Sequence, residues 1–470
     1  MKRRGRPRGT VRARRLGVRS ERLGVRSERL GVRSERLGVT DDMFWRSHQG
    51  MGLPLSMQGL WRFDATLTVA DLEPAHRALT LGPLTRRVVR RRIWPARNAF
   101  ASDAAVAPIH VEPEPLGPGT ITAWADTRGA RHLDIDSGPV WELSLARLEG
   151  GGSVVSLVCS HVVADARALV VAAGLAASEK SAQARTPEVT TGPPTLVDDL
   201  RDAASQLRIV AGGVARSLWM GCRDRGHRAE LFAAAQHSGT GLVKSSGPHG
   251  WREPTAIFSV DSGDWTSAAA AHGGTSNTLF TSLVSELVLQ IRGSGPVEIA
   301  LPVARGGDEA NSLTAAAIGI GSVDECQDLS LLRQRARDGY AEAGSGSGLG
   351  PPAGMPAELL QVIGPRAAHA LVPDPGSRDG LASNLGELDG VLSILAGHRG
   401  SAIAARSVHP GLLARDTGAT RTSVAAWAAE SAGVMTISLA IPDPAVASSE
   451  DLHELINKTL GHWDLSARHW

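Results

Sequence analysis

The chain has 470 residues, 42% hydrophobic and 21% charged, which excludes a disordered or fibrous chain and leaves ample length for two ordinary domains. Its formal charge of +2 hides a strong asymmetry. Residues 1–38 hold fourteen Lys/Arg and three Glu, so a tail of +11 leaves the body from residue 39 onward at −9. An acidic body argues against a broad nucleic-acid footprint, and no uninterrupted apolar run reaches the length of a membrane span.

The tail repeats RLGVRSE three times between Arg15 and Glu35 and starts a fourth time at Arg36. One Leu and one Val per unit, with Gly between them, make a poor coiled-coil seam, so residues 1–38 are read as a basic, disordered repeat. Arg4-Gly5-Arg6-Pro7 resembles an AT-hook core, but one copy in an arginine-rich tail carries little weight. With no apolar stretch behind its charges, the tail is not read as a signal peptide.

From Asp41 the texture becomes globular. QGLWRF (58–63) predicts a strand and VADLEPAHRALTLG (69–82) a helix. Residues 81–97 carry Arg86, Arg87, Arg90 and Arg91 beside Val88, Val89, Ile93 and Trp94. They are either a solvated face or a grip for phosphate-bearing ligands or anionic headgroups. VAPIHVE (106–112), VWELSLARL (140–148) and SVVSLVC (153–159) predict strands, the last two joined as a hairpin through Glu149-Gly150-Gly151-Gly152.

At the end of this third strand come Ser160-His161, and Asp165 follows as the expected cap of a helix starting at Ala166. A histidine four residues before an aspartate is a cheap pattern, and His132…Asp136 repeats it. His132 lies in a polar stretch without a buried strand before it, whereas a short strand-to-helix turn holds the His161 side chain rigidly.

Residues 181–197 read as a crossing linker, followed by a helix at about 198–220. Within 206–223 apolar residues alternate with Arg208, Arg216 and Arg223. The reading taken is a helix packed between subdomains, with a membrane interface as the alternative. TAIFSVD (255–261) opens a second half. Asn277 starts an amphipathic helix, VEIALPV (297–303) is the next strand with Arg305 just beyond it, and 343–356 is a flexible loop. SNLGEL, VLSIL, AIAARSV and GVMTISLAI give further strand signals, and a capped helix begins at Ser449.

The order of these elements is similar to that of the chloramphenicol-acetyltransferase-like acyltransferase superfamily. That group includes condensation domains, wax ester synthase/diacylglycerol acyltransferases and polyketide-associated acyltransferases. GPVWELSLARLEGGGSVVSLVCSHVVADARAL resembles its core, whose signature is His-His-x-x-x-Asp-Gly between a strand and a helix. DDMFW (41–45), PLSMQGLWRFD, SNTLFTSLVSELVLQIR, ALPVARG and SNLGEL are weaker echoes in the family's order.

The resemblance implies an α/β fold: two related subdomains of mixed sheets in a V with a channel between them. Their boundaries fall at 39–197 and 255–470, with a helical crossover at 198–254. It implies His161 as general base, Asp165 as a loop anchor paired with an arginine (Arg305 being the candidate), and Ser160, Ala166, Asn277, Ser383 and Asn384 as site-lining positions. The implied substrates are an acyl thioester, on coenzyme A or on the phosphopantetheine of an acyl carrier protein, and an alcohol or lipid acceptor. No metal or redox cofactor is implied, and the expected location is cytoplasmic with possible peripheral membrane contact. Ser160 replaces the first motif histidine and Ala166 the glycine. A non-catalytic lipid- or carrier-binding relative and an amide-forming enzyme are therefore the competing readings. Three cysteines without metal-ligand spacing fit reduced thiols.

Overall fold

The computed structural model describes residues 35–51, 54–177, 192–225, 251–293, 295–304, 313–344, 355–364, 367–368, 378–388, 390–395, 397–413 and 421–470. The basic repeat up to residue 34, most of the 181–197 linker, the 345–354 part of the predicted loop and Arg305 lie outside the described residues.

Two mixed sheets organise the body. The first has five strands: β2 (Ser56–Phe63), β5 (His110–Val111), β6 (Trp141–Arg147), β7 (Ser153–Ser160) and β14 (Ala402–Val408), in the order β14-β2-β7-β6-β5. The second has seven: β8 (Thr255–Asp261), β9 (Val297–Ala304), β10 (Leu313–Ile320), β11 (Gly380–Glu387), β15 (Val424–Ser431), β16 (Val434–Ala440) and β17 (Arg468–His469). Their order is β10-β9-β11-β15-β16-β8-β17, and the short strands β1 (Glu35–Arg36), β3 (Arg87–Val89) and β4 (Ala99–Ala101), and β12 (Ile394–Leu395) with β13 (His398–Arg399), form two small sheets of their own. The predicted hairpin is present, with β6 and β7 antiparallel from Trp141↔Cys159 to Arg147↔Ser153.

The strand β7 is a continuous apolar run because both of its faces are covered. Val155, Leu157 and Cys159 enter a core with Leu169 and Val170 of helix α4 (Ala166–Ala177), whereas Val154 meets Ile121 and Trp124 of helix α3 (Ile121–Gly129). Gly59 of β2 is what lets α4 come this close, since a Cβ there would stand 2.6 Å from a Leu169 methyl.

In the second sheet, β15 turns Val424, Ala426 and Ala428 towards Leu279, Leu283, Val284 and Leu287 of helix α7 (Ser276–Arg292). Its other face presents Ala425, Trp427 and Ala429 to the core that contains Cys159, Val162 and Val163. One apolar core is therefore shared by both sheets.

One strand crosses the boundary expected at residue 255: all seven strands of the second sheet lie beyond it, and so does β14. β14 follows most of the second half in sequence yet pairs antiparallel with β2 at the edge of the first sheet, while also packing on β15 and β16. Its Arg406 is fully buried; Nε donates to Gln58 Oε1 at 2.8 Å and Nη2 lies 2.7 Å from Asp126 Oδ1. Thr255 of β8 donates to the same Asp126 carboxylate, so residues from both halves meet in one polar cluster.

Candidate active site

The turn between β7 and α4 is fixed from five directions. The His161 amide donates to the Leu55 carbonyl at 3.0 Å, and the Val163 amide to the Ser160 carbonyl at 3.0 Å. Ser160 Oγ accepts the Val162 amide at 3.3 Å. Asp165 Oδ1 accepts the Ala168 amide at 2.7 Å, which makes the aspartate the N-terminal cap expected from sequence. Finally, Arg86 Nη2 donates to the Val163 carbonyl at 2.8 Å while its guanidinium lies 4.0 Å above the Phe100 ring.

His161 is buried, with 7% of its surface exposed, and its imidazole stacks on Phe44 with ring centroids 3.8 Å apart and planes 22° from parallel. Phe44 comes from helix α1 (Val39–Arg46), the DDMFW segment. Gln361, on the short helix Leu359–Val362, anchors α1: its Nε2 donates to the carbonyls of Leu37 and Gly38 at 3.1 and 3.0 Å, and its own carbonyl accepts from Arg46 at 3.3 Å. The site histidine therefore has a ring face covered by an element that both halves hold in place.

A second imidazole stands beside the turn. His48 Nε2 is 3.2 Å from Ser160 Oγ and 3.3 Å from the Leu55 carbonyl, the group that also holds the His161 amide. Burial holds the His48 pKa below the ordinary histidine value, opposed by the Leu55 carbonyl and assisted by the charge of His132. His48 was not predicted: no motif marks it, and it stands alone among polar residues just after the DDMFW segment. The HLDID stretch lies nearby as a turn in which Asp134 Oδ1 accepts the amides of Asp136 and Ser137.

The thiol of Cys159, fully buried one residue before Ser160, is pushed far above the thiol range, first by desolvation and then by the charge of Asp165, with Arg86 acting in the opposite sense. It is a core residue, not a nucleophile.

The four arginines considered for anion binding all have partners within the protein. Besides the Val163 carbonyl, Arg86 meets Glu35 at 2.7 Å. Arg87 makes a two-pronged pair with Asp103 at 2.7 and 2.9 Å, and Arg90 reaches Asp136 at 2.8 Å and lies over the Trp45 ring. Arg91 donates to the Ala96 carbonyl at 3.0 Å.

Of the positions expected to line the site, Ala166 is buried at the first turn of α4. Ser383 lies on the β11 face that carries Leu381 and Leu385 into the core shared with Val162. Asn384 and Asn277 point to the other side, where Asn384 Nδ2 donates to Asn277 Oδ1 at 2.9 Å.

No protein-family model matches the sequence, and no curated protein sequence does either. Solved structures do match, and the fold they share with this chain is the one seen in acyltransferases and condensation domains. The wax ester synthase/diacylglycerol acyltransferase from Marinobacter aquaeolei VT8 aligns with 91% of this chain and 98% of its own, at 13% identity and a TM-score of 0.51. The first condensation domain of the CDA synthetase aligns over 92% and 95%, at 14% identity and a TM-score of 0.56. The starter condensation domain of rhizomide synthetase, solved with C8-CoA and Leu-SNAC, aligns over 92% and 93%, at 13% identity and a TM-score of 0.54. At these identities the likeness is one of fold.

Proposed function

We propose that this protein is an acyltransferase that moves an acyl group from a thioester to the hydroxyl of an alcohol or lipid, with His161 as general base. The observation that carries the reading is the strand-end turn itself. It holds one imidazole against Phe44, beside the core shared by both sheets, with its backbone and one ring face fixed. Such rigidity suits a group that must meet a proton at a set distance.

In the proposed step the acceptor oxygen attacks the thioester carbonyl carbon as its proton passes to an imidazole nitrogen of His161. The tetrahedral adduct then collapses, the carbon–sulfur bond breaks, and the thiolate leaves with the proton from the imidazolium. Charges balance without a further reactant. Asp165 and Arg86 act on this chemistry through the turn they fix.

The donor of first choice is octanoyl-CoA, because a neighbour in fold was solved with C8-CoA. Thiol release is followed with long-chain alcohols, diacylglycerol and amines as acceptors. His161→Ala is expected to lower the rate by about 10²–10⁴-fold. Equal rates for wild type and variant would remove His161 from catalysis. An amine accepted in preference to every alcohol would move the reading to amide formation.

A second reading, a binding protein without turnover, draws on the 7% exposure of His161 beneath Phe44. Calorimetric binding of acyl-CoA, together with an absence of thiol release from both wild type and Phe44→Ala, would favour it.

A further inference from the structure

Helix α5 (Leu196–Arg223) is amphipathic in the opposite sense to a packed helix. Its buried positions are Asp199, Ala203, Gln206, Ser217 and Gly221, which are small or polar. Its outer surface carries leucines: Leu196, Leu200, Leu207 and Leu218 are each between 49% and 54% exposed. The helix touches segments of both halves, Arg36, Arg92 and Arg97 on one side and Pro356 at Gly213 on the other, but it does so with small and polar residues. Ion pairs rather than apolar burial dock the helix. The Asp199 carboxylate accepts from Arg36 at 2.7 Å and from the Arg92 amide at 2.9 Å, and Asp202 binds Arg97 at 2.7 Å.

The leucines form a line. Leu196, Leu207 and Leu218 recur every eleven residues, three helical turns, so they stand nearly above one another, with Leu200 one turn after the first. Between Leu196 and Leu218 the ridge is about 33 Å long. Residues 203–223 of the helix contain Arg208, Arg216 and Arg223 and no Asp or Glu, and these arginines stand on faces about a quarter to half a turn away from the ridge. Trp219 is 55% exposed, with the Arg223 guanidinium 3.9 Å from the centre of its ring.

We infer that α5 is a membrane-docking surface that lays its leucine ridge into the headgroup boundary of an anionic lipid bilayer. A straight apolar line on one face, with arginines and an exposed tryptophan on the faces turned away from it, matches a planar surface that is apolar below and negative above. The helix lies on the membrane and does not cross it: among the described residues no helix is long and apolar enough to span. The inference is independent of the acyl-transfer reading and is tested without turnover.

The test is flotation of the full chain with vesicles of phosphatidylcholine, alone or mixed with phosphatidylglycerol, at low salt and at 1 M salt. The basic tail confers its own attraction to anionic vesicles, but this is screened at about 1 M salt, where the Debye length falls to about 3 Å. Wild type is expected to float with the anionic vesicles and to keep a measurable bound fraction at high salt. The triple variant Leu200→Gln, Leu207→Gln, Leu218→Gln, with an unchanged circular dichroism spectrum and melting temperature, is expected to bind about tenfold more weakly and to lose its high-salt fraction. Arg208→Gln, Arg216→Gln, Arg223→Gln is expected to weaken binding only to the anionic vesicles. Equal flotation of wild type and the leucine variant would overturn the inference. So would a wild-type dimer that the leucine substitutions convert to monomer with flotation unchanged, since a second copy would then cover the ridge. Leucine-dependent capture of an acidic carrier protein without vesicle binding would overturn it equally.

Discussion

The two sheets bury their titratable groups in contrasting places. In the first half, His161 and His48 flank Ser160 at the end of a strand, beside the core to which both sheets contribute. In the second, Glu286 is buried in the middle of α7 among residues of a core that belongs to its own sheet and helices. Its partners are His462 Nδ1 at 2.9 Å and Gln290 Nε2 at 3.0 Å, with the charge of Lys458 close by. His462 follows directly on helix α11 (Ser449–Gly461), so this cluster fastens the C-terminal helix to α7. Burial of a titratable group is common to both places. What distinguishes the first is its position on the seam between the sheets, against a core to which both contribute.

The comparison assumes that the halves form one folding unit, and Arg406 tests this most severely. Arg406→Met leaves Asp126 and Gln58 without their buried partner and is expected to lower stability by about 3 kcal/mol. Thermal and urea melts should show one cooperative transition at a lower midpoint. Two resolved transitions in the wild type would mean that β14 does not couple the sheets.

Arg86 is the next largest case. Arg86→Met removes the bond to the Val163 carbonyl and the contact over Phe100, with an expected loss of about 2 kcal/mol. If the turn positions His161, thiol release at a temperature well below the melt should also fall. A loss of stability with full activity would reduce Arg86 to a packing residue.

The pH dependence of stability contrasts the two sites directly, because one cause acts with opposite signs. Burial keeps the folded-state pKa of His48 below its ordinary 6.5. In that interval the unfolded chain binds more protons, so stability falls as the pH drops through about 6.5. Burial raises the Glu286 pKa above its ordinary 4.5. There the folded chain binds more protons, and stability falls as the pH rises beyond about 4.5. The difference in melting temperature between wild type and His48→Gln should therefore shift against the wild type on acidification. The corresponding difference for Glu286→Gln should shift against the wild type as the pH rises from the acid side. The same sign in both series would show that one of the two groups is not governed by desolvation.

Much of this arrangement was legible in the residues. A β-branched run ending in Ser160-His161, followed by a capping Asp165, gave the strand, the turn and the helix within a residue of their observed limits. The strand β15, VAAWAAES, gave no such signal: alanine favours helices, and a strand buried on both faces shows no alternation. The partners of the turn were also hidden. Phe44, His48 and Arg86 reach it from segments more than seventy residues away in sequence, and only the folded chain shows which of several arginines faces a carbonyl. The amphipathic pattern of α5 was visible, but its direction was not. A helical period says that a face is apolar, not whether protein covers it.

The smallest expected effect separates the arginines that hold the turn from those that merely surround it. Arg90 lies in the same run as Arg86, yet its pair with Asp136 joins side chains that are 58% and 39% exposed. An exposed ion pair gains little over solvation by water and is screened by salt, so Arg90→Gln is expected to cost at most about 0.5 kcal/mol, less at high ionic strength. Its effect on thiol release should be within error. An effect as large as that of Arg86→Met would mean that the whole basic run, including the Trp45 contact beneath Arg90, supports α1 and the Phe44 ring over His161, and that the fixed site extends well beyond the turn.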